Sequence, residues 1–178
     1  MKFKSELMDE MAVKRSVIRI THEIIERNRG TDKLILVGIR RRGLPLAQMI
    51  AENIKRFEGV DIPVGYIDVT NYRDDLTDIT DTNRTDDTFL PCSPDGMRVV
   101  LVDDVIYTGR TVRAAIEGVF TYGRPALIQL AVLIDRGHRE LPFRPDFVGR
   151  NIPTSRGELV AVHVPEIDGD MCVKIFEM

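Results

Sequence analysis

Cysteine is scarce in this chain: Cys92 and Cys172 stand alone in 178 residues, with no Cys-x-x-Cys pair. That argues against a disulfide framework and leads us to expect a reduced, cytoplasmic setting. No apolar run approaches the ~20 residues a membrane span needs. The opening Met-Lys-Phe-Lys-Ser-Glu-Leu-Met-Asp-Glu lacks the apolar core of a secretory signal, so no membrane partner is expected. The three histidines, His22, His138 and His163, show no metal-ligand spacing, so no metal held directly by the protein is expected. Internal repeats and low-complexity tracts are also missing. The length suits one domain with a sizeable core, residues 1–178, and is short for two.

Net charge is low, −3, but unevenly placed. Between Asp74 and Asp95 seven acids face one base, Arg84, so this stretch carries −6 and the remainder +3. Arginine outnumbers lysine 19 to 6, and arginine makes the better two-point contact with phosphate. An RNA partner is therefore compatible with the acidic total.

Helical and strand patterns alternate through residue 134. Val13, Val17, Ile20 and Ile24 form one apolar stripe of a helix over 9–28, with Gly30 as its stop. Strands are expected at 34–37, 64–70, 99–102 and 127–134, and helices at 44–57 and 112–120. Shorter strands follow at 147–149, 159–163 and 172–176. This order predicts an α/β fold with a mostly parallel central sheet flanked by helices. Residues 71–97 are expected as a flexible lid loop, and residues 135–178 as a small hood of strands and turns. In such sheets ligands bind beyond the carboxyl ends of the strands.

The richest segment is Val99-Val-Leu-Val-Asp-Asp-Val-Ile-Tyr-Thr-Gly-Arg-Thr111. A β-branched run ends in two carboxylates, and a small hydroxylated turn then opens a helix. Amides at a helix start carry partial positive charge and favour a phosphate dianion. Gly109 permits a close backbone approach, and Thr108 and Thr111 offer hydroxyl donors. Gly38-Ile-Arg-Arg-Arg-Gly43, directly after a strand, is a second anion-binding candidate.

Residues 99–111 resemble the phosphoribosyl pyrophosphate (PRPP) signature of type I phosphoribosyltransferases. The resemblance implies that Asp103 and Asp104 hold the ribose hydroxyls. It places PRPP and UMP contacts at Val102, Val105, Ile106, Tyr107, Thr108, Gly109, Arg110 and Thr111. Mg2+ is then expected to arrive on the substrate, near Asp103 and Asp104. The arginine loop looks like the family's pyrophosphate loop, with Arg40 and Arg42 favoured over Arg41, and Gly43 closing it. Arg73 is the candidate pyrophosphate contact of the lid. Asp103, Asp104, Arg42 and Arg73 form the expected catalytic set, while Arg136, His138 and Ile152 are the candidates on the uracil side.

Further segments narrow the resemblance: Arg19-Ile-Thr-His-Glu-Ile-Ile-Glu-Arg-Asn28, Tyr72-Arg-Asp-Asp-Leu76, Arg136-Gly-His-Arg-Glu-Leu-Pro142 and Asn151-Ile-Pro-Thr-Ser155. Over nearly its full length the chain is similar to the PyrR family, attenuators of pyrimidine operons that are also uracil phosphoribosyltransferases. The resemblance implies synthesis of UMP and diphosphate from uracil and PRPP, and binding of operon leader mRNA when UMP or UTP is present. That binding promotes transcription termination. It implies a homodimer or higher homo-oligomer, and no DNA partner. Independently, Arg15, Arg19, His22 and Arg29 fall opposite the apolar stripe of the first helix, as a basic face. The RNA-binding candidates are Arg15, Arg19, His22 and Arg27, with Arg139, Arg144 and Arg150. Ile18 and Ile25 are candidate dimer contacts. Two other readings stay open: a salvage enzyme for uracil or a purine without RNA binding, and an RNA-binding nucleotide sensor with vestigial catalysis.

Overall fold

The protein is described by a computed structural model over residues 1–72 and 87–178. Five parallel strands form the central sheet: β2 (Leu34–Ile39), β3 (Val64–Ile67), β4 (Arg98–Ile106), β5 (Leu127–Asp135) and β6 (Phe147–Asn151). Their spatial order is β3-β2-β4-β5-β6. The inner strands read as unbroken apolar runs because helices cover both of their faces. Helices α1 (Glu10–Asn28) and α2 (Gly43–Glu58) pack on one side, burying Val13, Val17, Ile20, Ile24, Ile50 and Ile54 against Leu36, Val100 and Leu133. Helix α3 (Arg110–Tyr122) covers the other, setting Val112, Ala115 and Val119 against Val37, Leu101 and Val132.

Local chemistry sets the ends of α1. Asp9 caps its start, accepting the Ala12 N–H at 2.7 Å. Its end lies one residue before the expected glycine. Arg29 takes the left-handed conformation (φ 53°), and Gly30 then donates to the Ile25 carbonyl at 2.9 Å.

Three differences from the sequence expectation bear on the site. First, β4 does not stop at Val102. Pairing with β2 ends at Gly38–Val102, but pairing with β5 continues through Asp103–Val132 to Ile106–Asp135. Both acids are therefore strand residues, on the part of β4 that β2 has left. Second, β6 belongs to the central sheet, where it pairs in parallel with β5. Third, a strand at Lys2–Met8 (β1) joins β7 (Glu158–His163) and β8 (Cys172–Glu177) in a separate sheet, ordered β1-β8-β7. This hood thus draws on both ends of the chain. The short helix α4 (Pro165–Asp168) sits between β7 and β8. Strand 64–70 is also shorter than expected, giving way to a 3-10 turn at Thr70–Tyr72.

Candidate active site and basic surfaces

At the carboxyl end of β4 lies a cleft of about 380 Å3, lined by Asp103, residues 105–112 and Glu140. It occupies the position expected for ligands on a parallel sheet. Gly109, at φ 93°, turns the chain into α3, whose Arg113 N–H reaches the Gly109 carbonyl at 3.0 Å. Amides of the first helical turn have no partner within the helix, so they and the Thr108 and Thr111 hydroxyls can meet an anion here. The turn is held from behind. The Thr108 carbonyl accepts N–H groups of Glu140 and Leu141 at 2.9 and 3.0 Å, and Arg110 pairs with Glu140 at 2.9 Å.

The acid pair is tightly packed. Asp103 is 8% exposed. Its Oδ1 accepts the Asp104 N–H at 2.9 Å, and the Asp104 Oδ1 accepts the Val105 N–H at 2.8 Å. Burial pushes the Asp104 carboxyl above its ordinary range, opposed by its hydrogen bonds and by the Arg42 charge.

The arginine loop lies alongside. A Cβ on Gly43 would fall 2.2 Å from the Val102 carbonyl oxygen, and one on Gly38 2.4 Å from the Leu44 Cα. Gly43 must be glycine for the loop to sit against β4, and Gly38 for the start of α2 to sit on β2. The Arg40–Arg41 peptide is cis. Arg42 is bound through both Nε and Nη2 to Asp168 of α4. Arg40 turns the other way, paired with Asp87 and lying over Tyr66, 5.2 Å from the ring centroid. Asp87 thus gives one acid of the 74–95 stretch a definite partner. Arg41 is exposed. Arg73, and most of the expected lid, lie outside the described residues.

On the expected uracil side, Arg136 is 5% exposed and turned into the protein. Nε donates to Thr154 Oγ1 at 3.1 Å, and Nη2 to the Ser155 and Glu158 carbonyls at 3.3 and 2.6 Å. Its guanidinium also lies 4.0 Å from the Tyr107 ring centroid. Of these partners, Tyr107 lines the cleft. His138 (φ 61°) holds Nε2 2.5 Å from the Thr154 carbonyl and sets its ring edge-on to Tyr107. Ile152 is half-buried against the core.

The basic candidates separate into different places. Arg15, Arg19 and Arg150 line one open groove of about 340 Å3. Within it, Arg19 donates to the Val148 and Gly149 carbonyls and pairs with Glu23, while Arg150 donates to the Leu7 carbonyl. Arg27 lines another opening with Arg29 and Arg98, 3.6 Å from Asp146. His22 stacks on Phe57, centroids 4.4 Å apart. Arg144 is exposed. Arg139 departs from the expected outward role. It bonds Asp135 and the carbonyls of Tyr107, Gly137 and Phe143, and so braces the loops on either side of the Thr108–Thr111 turn. Ile25 packs on the core, whereas Ile18 lines a surface cleft with Met49 and Arg56.

Asp168 and Glu140 were not singled out in the sequence. Their partners Arg42 and Arg110 lie 126 and 30 positions away, and no local pattern marks such pairs.

A model of the phosphoribosyl transferase domain family matches residues 4–166. The chain is similar to the bifunctional protein PyrR of Clostridium perfringens, 52% identical over 177 residues covering 99% of both chains. It is also similar to bifunctional protein PyrR of Pelotomaculum thermopropionicum, 58% identical over 174 residues, 98% of this chain and 96% of that one. Among solved structures, the hypoxanthine phosphoribosyltransferase of Trypanosoma cruzi shares the fold, with a TM-score of 0.75 at 19% identity over 98% and 97% of the two chains. The family match and full-length relatedness, with the acid pair and the Thr108–Thr111 turn at the carboxyl end of β4, lead to one assignment: the chain belongs to the phosphoribosyl transferase family and, within it, to the bifunctional PyrR proteins.

Proposed function

We propose that the protein converts uracil and PRPP to UMP and diphosphate, and that its nucleotide-loaded form binds pyrimidine leader mRNA and promotes termination. The observation that carries the first activity is the joining of Asp103 and the Thr108–Thr111 turn at one cleft on β4, with Asp104 next along the strand and within reach of the Arg42 charge. In this reading the turn and the start of α3 take the 5′-phosphate. Asp103 and Asp104 fix the ribose hydroxyls. Arg42, with the loop amides, stabilises departing diphosphate, whose charge grows in the transition state, and Arg40 would have to leave Asp87 to join it. Tyr107, His138 and Ile152 border the base. Two adjacent carboxylates are hard oxygen donors and suit Mg2+, which would supply charge neutralisation for the diphosphate. Uracil N1 is held in line with the anomeric carbon, so much of the rate gain comes from positioning.

Full-length relatedness to bifunctional proteins supports the second activity. The groove of Arg15, Arg19 and Arg150 and the arginines around Arg27 provide the positive surface that RNA phosphates require. The arginines around Arg27 sit at the amino ends of β4 and β5, the opposite end of β4 from the turn that would hold nucleotide. A dimer would join two such surfaces.

Two assays on the purified protein test this reading. UMP formation from labelled uracil, PRPP and Mg2+ is expected, with hypoxanthine as the competing base. Filter binding to a pyrimidine-leader stem-loop should strengthen on adding UMP. Uracil turnover without nucleotide-dependent RNA binding leaves a salvage enzyme, and the reverse result leaves a sensor.

A further inference from the structure

The hood hairpin carries a group of side chains that phosphoribosyl transfer does not use. The antiparallel register of β7 and β8 sets His163 directly opposite Cys172, and Asp170 stands in the turn between them. Their ligand atoms, His163 Nδ1, an Asp170 oxygen and Cys172 Sγ, all lie within 4.8 Å of one another. Asp170 is the hub: Oδ1 is 2.7 Å from His163 Nδ1, and Oδ2 accepts from Cys172 Sγ at 3.4 Å and Lys174 Nζ at 2.9 Å.

Three polar hydrogens thus converge on one carboxylate. A single dication can satisfy the same atoms if His163 carries its ring proton on Nε2, so that Nδ1 is free to coordinate, the Cys172 thiol releases its proton to solvent, and the Lys174 ammonium swings away. An imidazole nitrogen, a thiolate and a carboxylate are the donor set of a borderline metal; Mg2+ and Ca2+ prefer all-oxygen sites. Ligand atoms around tetrahedral zinc sit about 3.5 Å apart. His163 and Cys172 are held on paired strands, so the exposed Asp170 makes most of the adjustment.

We propose that His163, Asp170 and Cys172 form a transition-metal site of the Zn2+ class, with a fourth position open to water. It departs from the expectation drawn from histidine spacing, because a cross-strand pairing, not a sequence interval, assembles it. The ion would staple β7 to β8 around α4, the turn that carries Asp168. A ligand bound only by the folded state stabilises it by mass action.

Cobalt(II) is the probe, in a Cys92→Ser background that removes the other thiol, which is exposed. Titration should give an intense near-ultraviolet thiolate-to-cobalt band that saturates at stoichiometric ion. Zn2+ should abolish the band by competition, and by itself raise the thermal midpoint. His163→Ala should weaken cobalt binding by more than about tenfold. Lys174→Met removes the competing ammonium and should tighten binding about two- to fivefold, the range of one exposed ion pair. Cys172→Ser should abolish both the band and the zinc-induced thermal shift. A protein that gives no band in excess cobalt overturns the proposal. So does a band indifferent to both His163→Ala and Lys174→Met, since the thiol would then be binding without its neighbours.

Discussion

The Arg42 guanidinium and the Asp168 carboxylate meet at two points, Nε to Oδ2 at 3.1 Å and Nη2 to Oδ1 at 2.7 Å, across 126 positions of sequence. This pair ties the arginine loop to the hood. Asp168 also accepts the Val164 N–H at 3.0 Å, so α4 itself is held in register. Arg42 in turn lies close enough to Asp104 for its charge to act on that carboxyl. Loop, acid pair and hood are therefore electrostatically linked.

Asp168→Asn should lower kcat/KM for PRPP by about tenfold, because Arg42 loses the partner that orients it. Arg42→Ala should cost about a hundredfold or more. The same pair carries a pH signature. Arg42 holds the Asp168 carboxyl below its ordinary value. Its stabilisation is thus full above the unfolded carboxylate value, near 3.9, and is lost as pH falls through the lower folded value. Urea unfolding should give a deficit of about 1 kcal/mol for Asp168→Asn at pH 7, scaled for a pair partly open to solvent. The deficit should shrink on acidification toward pH 3. A deficit that does not change with pH would assign the loss to packing instead.

Asp104 runs in the opposite sense. Burial raises its carboxyl above the ordinary value, so its contribution to stability is favourable below the unfolded value and is lost as pH rises through the folded one. Asp104→Asn should therefore stabilise the ligand-free protein at pH 7, by about 0.5–2 kcal/mol. It should also reduce kcat/KM by about 10²–10³-fold. Thermal melts at pH 7 and steady-state kinetics check both halves. A variant that is both less stable and less active would make Asp104 a structural residue.

Gly43→Ala tests the close approach of the arginine loop to β4. The added methyl would meet the Val102 carbonyl oxygen at 2.2 Å, and backbone on both sides leaves it no flexible neighbour to displace. A loss of about 1–3 kcal/mol in urea denaturation is expected, together with weaker PRPP binding. Gly30→Ala is the control for space. Nothing lies within 4 Å of its Cβ position, so its cost comes from its φ of 115° alone.

The basic surface should divide by how each arginine is held. Arg27 has a side chain 61% exposed and one long contact to Asp146. Arg27→Ala is expected to weaken leader-RNA binding and reduce the salt slope by about one, with an unchanged melting point. Arg19→Ala also removes bonds to two β6 carbonyls, so it should lower stability by about 1 kcal/mol as well as RNA affinity. Equal effects on both readouts for the two variants would mean that neither surface is RNA-specific.

Some of this architecture follows from local sequence alone. The Val13–Val17–Ile20–Ile24 stripe has to bury one face of a helix, and the runs at 34–37 and 99–102 are too apolar for anything but covered strands. The Asp103–Asp104 pair and the Thr108–Thr111 turn are contiguous, so their chemistry is readable before folding. The tertiary structure decided the rest, because it depends on contacts between distant residues. That β4 runs on through its acids follows from pairing with β5 after β2 has left. That Lys2–Met8 is a strand depends on β8, at the other end of the chain. Arg136 and Arg139 look like ligand arginines in sequence, but carbonyls and acids of neighbouring loops and of the hood claim them. Local periodicity records which face a segment must bury. Only the folded chain determines which distant partner reaches each polar group.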